Sequence, residues 1–356
     1  MYIPHESIIF TNDLEEFKAN KVLKVYDSFI KDDLKYPYEI EIHLTGNCPS
    51  KCKECSYASR HTGDVIGLDK IEDIFSLLST HTHNVHTIFF SGGGDPFAYP
   101  YWKELLELHD KYIPNVNIGV STSLLILPDI DFNKISYFQI HFSGFNSESY
   151  IDQIGFDAFN RFYSNLMRVE KSNVDYVLKL LFNQYVNDNL TKFLDFLVDL
   201  NPKNIIFKCE QDFLHNRDVN HSINEEYTFN IIKKHLISKK YKTVLNNLND
   251  DIFKDNTEVD MCHIVKKGLY CLIREDGNVY PCIASTNMKS NSLGNINDNS
   301  FDFILKNKGD LTKFDNNMLS ELCPLKACRH YRFNKIIEKE YDENNDYNII
   351  HSPDLI

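Results

Sequence analysis

Apolar and polar positions change their period repeatedly along the first two thirds of the chain. Six short runs rich in Ile, Val, Phe and Tyr predict strands, and the longer stretches between them place apolar residues at helical spacing. The six runs span residues 38–45, 86–91, 116–122, 136–143, 174–182 and 204–209, and the clearest helical stretches lie near 102–108, 148–170 and 189–200. Connections of this length predict parallel pairing, because a parallel connection needs a crossover long enough to hold a helix.

Six strand–helix units predict an α/β fold with a partial (β/α)6 TIM-like barrel, rather than the closed barrel of eight units. We expect this barrel to span residues 38–210, after an N-terminal extension over 1–37. In parallel α/β folds, ligands bind at the carboxyl ends of the strands. The residues that follow each strand are therefore the first candidates for a functional site.

The pattern changes after the barrel. Residues 211–260 are polar and helix-prone, which predicts a helical bridging segment. Two apolar runs around Glu275-Asp276-Gly277-Asn278 then predict a β-hairpin. This hairpin belongs to a predicted small, cysteine-rich α+β domain over 261–332, which is followed by a C-terminal helix and tail over 333–356.

Composition narrows the functional classes. The 356-residue chain carries a formal charge of −13, which disfavours nucleic acid or an anionic membrane as the main partner, since both reward clustered Lys and Arg. No apolar run approaches the roughly 20 residues needed to span a bilayer. The first ten residues lack the apolar region of a secretion signal. We therefore expect a soluble, cytoplasmic protein with no nucleic-acid and no membrane partner.

Nine cysteines are distributed unevenly. Three lie within eight residues of each other near the start of the barrel, and five lie after position 260. In a chain without a secretion signal, clustered thiols are typical of metal ligands or catalysts rather than disulfides. The distribution predicts two metal sites in two domains.

The first group, Cys48, Cys52 and Cys55, lies on one loop directly after the first strand. A cubane has four irons, so three thiolates leave one iron without a protein ligand, and an open coordination position indicates a chemical site. A zinc knuckle is the alternative, but it usually pairs two short Cys-x-x-Cys hairpins. His61 is the nearest candidate for a fourth ligand.

This spacing after a strand resembles the signature of the radical S-adenosylmethionine enzymes. The resemblance implies a 4Fe-4S cluster on the three cysteines whose free iron binds S-adenosylmethionine. It also implies reductive cleavage to a 5′-deoxyadenosyl radical, which abstracts a hydrogen atom from the substrate. A flavodoxin or ferredoxin would supply the electron, and Lys51 and Lys53 are the expected contacts for such an acidic reductant.

The loop Gly92-Gly93-Gly94-Asp95-Pro96 follows the second strand, where this family carries a Gly-Gly-Glu-Pro motif that binds the cofactor's amino group. Glycines let the backbone approach a ligand closely, and a carboxylate accepts from an ammonium. Asp95 is one methylene shorter than the usual Glu. Thr122 and Ser143, at the ends of the third and fourth strands, match positions that contact the ribose or methionine, although each can also simply terminate a strand.

The second group contains Cys262, followed after fourteen residues by Gly277 and after four more by Cys282. This hairpin resembles the start of SPASM and twitch domains, which hold auxiliary iron–sulfur clusters. The resemblance implies that Cys323 and Cys328 complete a four-thiolate set for a second 4Fe-4S cluster. Cys271 is an alternative ligand, and structural zinc is an alternative metal. A fully ligated cluster would act as an electron acceptor.

Two further candidates lie at the end of the sixth strand. Cys209 would face the barrel mouth and could return a hydrogen atom to a substrate radical, as in peptide epimerases of this superfamily. A buried, inert cysteine is the simpler alternative. Glu210 could orient the substrate or take up a proton, or it could be a solvated loop carboxylate.

The resemblance implies an oxidoreductase or maturase, most often one that cross-links, epimerises or oxidises a ribosomally synthesised peptide. The segment before the first strand is shorter than the usual leader-binding domain, so we expect a separate peptide-binding partner or docking on the auxiliary domain. A dehydrogenase of a sugar or cyclitol is the alternative enzyme. A non-enzymatic iron–sulfur or zinc protein is the alternative of another class, and it leaves the glycine loop without a purpose.

Overall fold

The structure is a computed structural model. It describes residues 36–53, 55, 63–81, 85–172, 174–200, 202, 205–209, 231–232, 234–235, 262–266, 268–287 and 289–307. The predicted segments 1–37, 211–260 and 333–356 lie wholly or largely outside these residues, and the domain boundaries remain predictions.

All six predicted barrel strands are present. They are β1 Glu39–Ile42, β2 Thr87–Phe90, β3 Asn117–Thr122, β4 Tyr137–His141, β5 Asp175–Phe182 and β6 Ile205–Cys209. Each pairs in parallel with the next along the chain. This parallel sheet with connecting helices confirms the predicted α/β, TIM-like fold class.

Consecutive barrel strands are separated by α-helices, except for β3 and β4, which are joined through the 3-10 helix Phe132–Lys134. The α-helices are α1 Leu68–Ser79, α2 Trp102–Tyr112, α3 Ser147–Ile154, α4 Phe159–Lys171, α5 Gln184–Asp188 and α6 Leu190–Leu200, with α7 His263–Lys266 and α8 Phe301–Lys306 further along. The prediction of a single helix near 148–170 is wrong, because Gly155 ends α3 with φ +85° and its N–H donates to the Ile151 carbonyl at 3.0 Å. A glycine adopts this left-handed conformation without the steric cost that a side chain brings.

The predicted C-terminal hairpin is also present, as β7 Tyr270–Ile273 and β8 Asn278–Tyr280, with a short β9 Gly294–Asn295 beyond it. Its placement was not predicted. Strand β7 pairs in parallel with β1, so the hairpin extends the barrel sheet to the order β6-β5-β4-β3-β2-β1-β7-β8-β9. Seven parallel strands therefore end at the same edge, and the seventh comes from the cysteine-rich C-terminal region.

The two faces of the sheet differ in chemistry. On β1, Ile40 and Ile42 are fully buried in the apolar core beneath the helices, whereas Glu41 and the following His43 alternate with them on the inner face. At the level of Glu41 the inner face also carries aromatic side chains, since the rings of Phe89 and Tyr137 stack 5.8 Å apart. The polar residues from this level up to the carboxyl edge form the candidate site. In the described part of the chain, no helix is both long and apolar enough to cross a membrane.

Candidate functional site at the carboxyl edge of the sheet

The cysteine loop and the glycine loop meet at the carboxyl edge of β1 and β2. The Gly94 N–H donates to the Thr45 carbonyl at 2.7 Å, and the Asp95 N–H donates to the Asn47 carbonyl at 2.9 Å. A Cβ placed on Gly94 would lie 2.0 Å from the Asn47 carbonyl oxygen, which no side chain can tolerate. The sequence Gly92–Gly94 therefore lets one loop lie directly against the residue before Cys48.

Helix α3 supports the cysteine loop from the other side. The N–H groups of Lys51 and Lys53 each donate at 3.3 Å, to the carbonyls of Ile154 and Gln153 respectively. These carbonyls belong to the last turn of α3, where intrahelical partners are missing. The loop therefore supplies hydrogen-bond donors to the free carbonyls at the end of α3, and the same bonds fix the position of the loop.

The thiols of the cysteine loop lie close enough to influence each other. Burial, with the charges of Asp95 and Cys55, raises the pKa of Cys48 to about 11. Burial, with the charges of Cys55 and Cys48, raises the pKa of Cys52 to about 12. A bound cation would reverse both effects, because thiolate is the form that binds metal.

Ser50 is a member of this site that the sequence did not single out. Its hydroxyl is buried and, among the described residues, donates to no oxygen or nitrogen acceptor. It lies beside the Cys48 and Cys52 thiols and opposes the rise in their pKa values. A buried hydroxyl beside two cysteines suits thiolate or cluster sulfur as its acceptor, and the only signal in the sequence is its position between the cysteines.

The three thiols provide the donor set of a cubane cluster, in which each thiolate binds a different iron. The donor set, the buried Ser50 hydroxyl and the close glycine loop together fit the predicted 4Fe-4S cluster and its cofactor, while the individual ligand assignments remain predictions.

Asp95 has a different environment from the one that the sequence suggested. Its carboxylate is 3% exposed. It accepts hydrogen bonds from the Phe97 N–H at 3.0 Å, the Ser123 N–H at 2.9 Å and the hydroxyls of Thr122 and Ser123. Burial raises its pKa, which these hydrogen bonds oppose. Since a carboxylate has about four acceptor positions, Asp95 chiefly joins the glycine loop to the end of β3.

Thr122 and Ser143 have distinct surroundings. The Thr122 hydroxyl donates to Asp95 and accepts from the Leu124 N–H at 2.9 Å, so it holds the turn after β3, where Leu124 has φ +58°. Ser143 lies two residues beyond β4 and is half-buried at the same edge. Contact of either residue with the cofactor remains a prediction.

A buried charged cluster lies on the inner face, and sequence reasoning missed it. It joins β1 and β2 to the C-terminal hairpin through six polar side chains: Glu41, His43, Ser91, Tyr270, Arg274 and Glu275. Glu41 accepts from the hydroxyls of Ser91 and Tyr270 and lies 3.3 Å from the His43 ring. Alternation along β1 was the available signal, but only the sheet shows that this polar face is enclosed rather than solvated.

Glu275 is the part of this cluster nearest the glycine loop. Arg274 donates to it, and the His43 Nδ1 atom lies 3.6 Å from its Oε2 atom. Burial opposes ionisation of Glu275, but His43 and Arg274 lower its pKa to about 2. Burial lowers the pKa of His43, but the adjacent carboxyl groups of Glu275 and Glu41 raise it, and the net shift is upward. The cluster therefore places two acidic side chains beside a guanidinium and an imidazole whose pKa is raised.

Two basic side chains lie on the opposite side of the barrel mouth. The His141 Nε2 atom is 3.0 Å from the Ser121 hydroxyl oxygen, and His141 pairs in register with Lys179 on β5. Both basic side chains are half-buried. They share the inner face because Phe138 and Ile140, which alternate with His141, lie in the apolar core.

Cys209 ends β6 as predicted, in register with Phe182. Glu210 lies outside the described residues. Their predicted roles in hydrogen return and substrate orientation remain predictions.

The C-terminal cysteines separate into two kinds. Cys262 and Cys282 both pack against Val265, together with Leu293, so the structure brings this predicted pair to one small cluster. Cys271 is 2% exposed on β7, in register with Ile40, and belongs to the apolar core. This location favours packing for Cys271 over ligation. Cys323 and Cys328 lie outside the described residues.

Comparison with known proteins gives a family match for the C-terminal region and structural matches for most of the chain. Residues 262–330 match the family model SPASM, described as an iron–sulfur cluster-binding domain. That range contains all four predicted auxiliary ligands. No curated protein sequence matches the chain.

Solved structures share the fold at low identity. SuiB of Streptococcus suis bound to precursor peptide SuiA is 13% identical, with a TM-score of 0.60, and the match covers 93% of this chain and 79% of SuiB. The structure of anSMEcpe with bound AdoMet is 16% identical, with a TM-score of 0.59, and the match covers 86% of this chain and 93% of that one. At these identities the comparison shows a common fold.

Proposed function

We propose that this chain, which has the radical S-adenosylmethionine fold and a SPASM iron–sulfur cluster-binding domain, is an enzyme that uses S-adenosylmethionine to abstract a hydrogen atom from a peptide. The observation that carries the proposal is the meeting of the cysteine loop and the glycine loop at one carboxyl edge. A non-enzymatic metal protein has no need for a backbone cradle beside three thiols.

Cys48, Cys52 and Cys55 hold the first cluster in this proposal. When bound, the reduced cluster supplies the electron that splits the cofactor's sulfonium and yields the 5′-deoxyadenosyl radical. Gly92–Gly94 admit the cofactor's methionine group to the backbone, and Asp95 and Thr122 fix the loop that carries them. The Ser50 hydroxyl donates toward the thiolates and so stabilises their charge.

Cys262, Cys282, Cys323 and Cys328 would hold a second cluster in this proposal, and such a cluster, when bound, would supply an acceptor for one electron from the substrate. The match of residues 262–330 to an iron–sulfur domain supports iron rather than zinc at this site. The net reaction on the substrate is then an oxidation, such as a cross-link. If an epimerisation is catalysed instead, Cys209 returns the hydrogen atom and Glu210 orients the substrate.

The substrate is a peptide in this proposal, held at the mouth of the barrel near His141 and Lys179. Two neighbours of this fold support the choice, since SuiB is bound to its precursor peptide SuiA and anSMEcpe is bound to the Cp18Cys peptide. In this proposal the peptide is held by a separate peptide-binding partner or by the auxiliary domain, and flavodoxin or ferredoxin delivers the electron.

The test uses candidate peptides encoded beside the gene, labelled with deuterium at their α and β carbons. The protein is reconstituted with iron and sulfide without oxygen, reduced, and given S-adenosylmethionine. Mass spectrometry should find deuterium in 5′-deoxyadenosine and a mass change in one peptide. Deuterium transfer from labelled sugars or cyclitols, with none from any peptide, would contradict the peptide assignment while leaving radical chemistry in place.

A further inference from the structure

We propose that Glu275, supplied by the C-terminal hairpin, is a positioning residue for the glycine loop that binds the cofactor. The proposal rests on the proposed function for the identity of that cofactor, and it goes further by making the affinity for S-adenosylmethionine depend on the SPASM region. It assigns a role to a charged cluster that the proposed chemistry does not otherwise use.

The first observation is a direct approach of Glu275 to the glycine loop. Gly93 has φ +80°, and a Cβ built on it would lie 2.7 Å from the Glu275 Oε2 atom and 3.2 Å from the Thr45 carbonyl oxygen. The carboxylate therefore occupies the space where a side chain of residue 93 would be. Gly93 is required on two counts, its backbone conformation and its carboxylate neighbour.

The second observation is that the Glu275 carboxylate is held in one place. The residue is 3% exposed, Arg274 donates to its carboxylate, and His43 lies beside it. A buried carboxylate is costly unless it is paired in this way, so the pairing fixes both its charge and its position. The Glu275 side chain that contacts the glycine loop is therefore held in a fixed position.

The third observation is topological. Strand β7 runs parallel to β1, so Arg274 and Glu275 follow its carboxyl end at the same edge as the cysteine and glycine loops. Ligand-binding residues of parallel sheets come from this edge. The C-terminal region therefore contributes to the cofactor edge through a seventh strand, although it lies far beyond the glycine loop in the sequence.

Asp95 complements this support. Its carboxylate already accepts from Phe97, Thr122 and Ser123 and so ties the loop toward β3. Glu275 contacts the loop from the β1 and β7 side. The two carboxylates fix the loop between them, and a change at either one moves the backbone that contacts the cofactor.

The test combines Glu275→Asp with Gly93→Ala. The shorter Asp keeps a charge beside Arg274 but withdraws the carboxylate by one methylene from residue 93. We expect Gly93→Ala to weaken S-adenosylmethionine binding about tenfold or more, and Glu275→Asp to restore a substantial part of that loss, because the neighbour that crowds Cβ has moved. Gly94→Ala is the matched control, since its Cβ would meet backbone of Asn47, which Glu275→Asp cannot relieve.

Two readouts are needed on the anaerobically reconstituted full chain. Equilibrium dialysis with labelled S-adenosylmethionine gives the dissociation constants, and thermal unfolding followed by circular dichroism gives the coupling between residues 93 and 275. If Glu275→Asp rescues Gly93→Ala but not Gly94→Ala in both readouts, the proposal is supported. Equal effects of Glu275→Asp on both alanine variants in the unfolding measurement would overturn it, whether or not the cofactor binds. A parent that binds no S-adenosylmethionine would contradict the proposed function instead, and the unfolding cycle would still decide the role of Glu275.

Discussion

The hydroxyl of Tyr270 donates a hydrogen bond to the carboxylate of Glu41, across 229 positions of sequence. Glu41 lies on the first strand of the barrel and Tyr270 on the strand that the C-terminal region adds to it. Both residues are buried. The bond therefore joins the two halves of the chain at the base of the charged cluster beneath the cofactor edge.

Tyr270→Phe should lower the free energy of unfolding by about 1–3 kcal/mol, because Glu41 stays buried with one donor fewer. Chemical denaturation followed by circular dichroism measures this change. Tyr112→Phe is a suitable control, since its hydroxyl donates to the more exposed Glu72 at 2.8 Å. A loss for Tyr270→Phe no larger than that for the control would contradict a stabilising role for the buried bond.

The sequence predicted the barrel strands because their runs are apolar and separated by helical stretches of crossover length. It did not predict that β7 joins β1 in parallel, since nothing local to 270–273 specifies a partner so far away in the chain. Glu41 and His43 alternate with isoleucines, a pattern typical of a half-solvated strand. Only the folded structure shows that these polar groups are buried.

The candidate site could likewise be predicted only in part, because it also depends on which strands lie side by side. The cysteine and glycine loops could be placed, because each follows a predicted strand and parallel strands end at one edge. The sequence could not predict that the Asp95 carboxylate is already occupied by hydrogen bonds. Its donors Thr122 and Ser123 lie at the end of a different strand. Glu275 was interpreted only as part of a turn, since its contact with Gly93 depends on the pairing of β7.

Asp95→Asn should weaken S-adenosylmethionine binding and destabilise the protein. The amide replaces one acceptor oxygen with a donor, which then faces the donor groups of Ser123 or Phe97, and an unsatisfied buried group costs about 1–3 kcal/mol. Isothermal titration with the cofactor and chemical denaturation measure the two effects. Asp95→Glu, which reproduces the Gly-Gly-Glu-Pro motif that this loop resembles, should also weaken binding and stability, because the added methylene displaces a buried carboxylate from its donors.

If Asp95 bound the cofactor directly instead, Asp95→Asn would weaken binding without changing stability, and Asp95→Glu would preserve binding. Either result would contradict the assignment of Asp95 to holding the loop.

The C-terminal cysteines provide a matched set of variants. Cys262→Ala and Cys282→Ala should each reduce the iron of the reconstituted protein toward that of one cluster, because both thiols lie at the same small cluster around Val265. Cys271→Ala should leave the iron content unchanged and lower stability by about 1 kcal/mol through lost packing. Iron and sulfide are analysed for each variant, and unfolding is measured on the same samples. A loss of iron in Cys271→Ala alone would contradict these ligand assignments.

The contact with the reductant is predicted at the cysteine loop. Lys51 and Lys53 are both exposed, but Lys53 pairs with Asp152 at 3.0 Å. Lys51→Glu should therefore slow reduction by flavodoxin more than Lys53→Glu, and the effect should shrink as salt is added, because exposed charges are screened. Stopped-flow absorbance of the cluster measures the rate. Equal rates for the parent and both variants at low salt would remove this loop from the docking surface.

The most direct measurement compares the parent with a Cys48→Ala, Cys52→Ala, Cys55→Ala variant after anaerobic reconstitution and reduction. Iron and sulfide are counted, and 5′-deoxyadenosine is followed by chromatography in the presence of S-adenosylmethionine and the candidate peptides. The account predicts about eight irons in the parent, from two cubanes, and about four in the variant. It also predicts that only the parent forms 5′-deoxyadenosine. Equal iron content in the two proteins, or no 5′-deoxyadenosine from a fully loaded and reduced parent with any candidate substrate, would contradict the central claim.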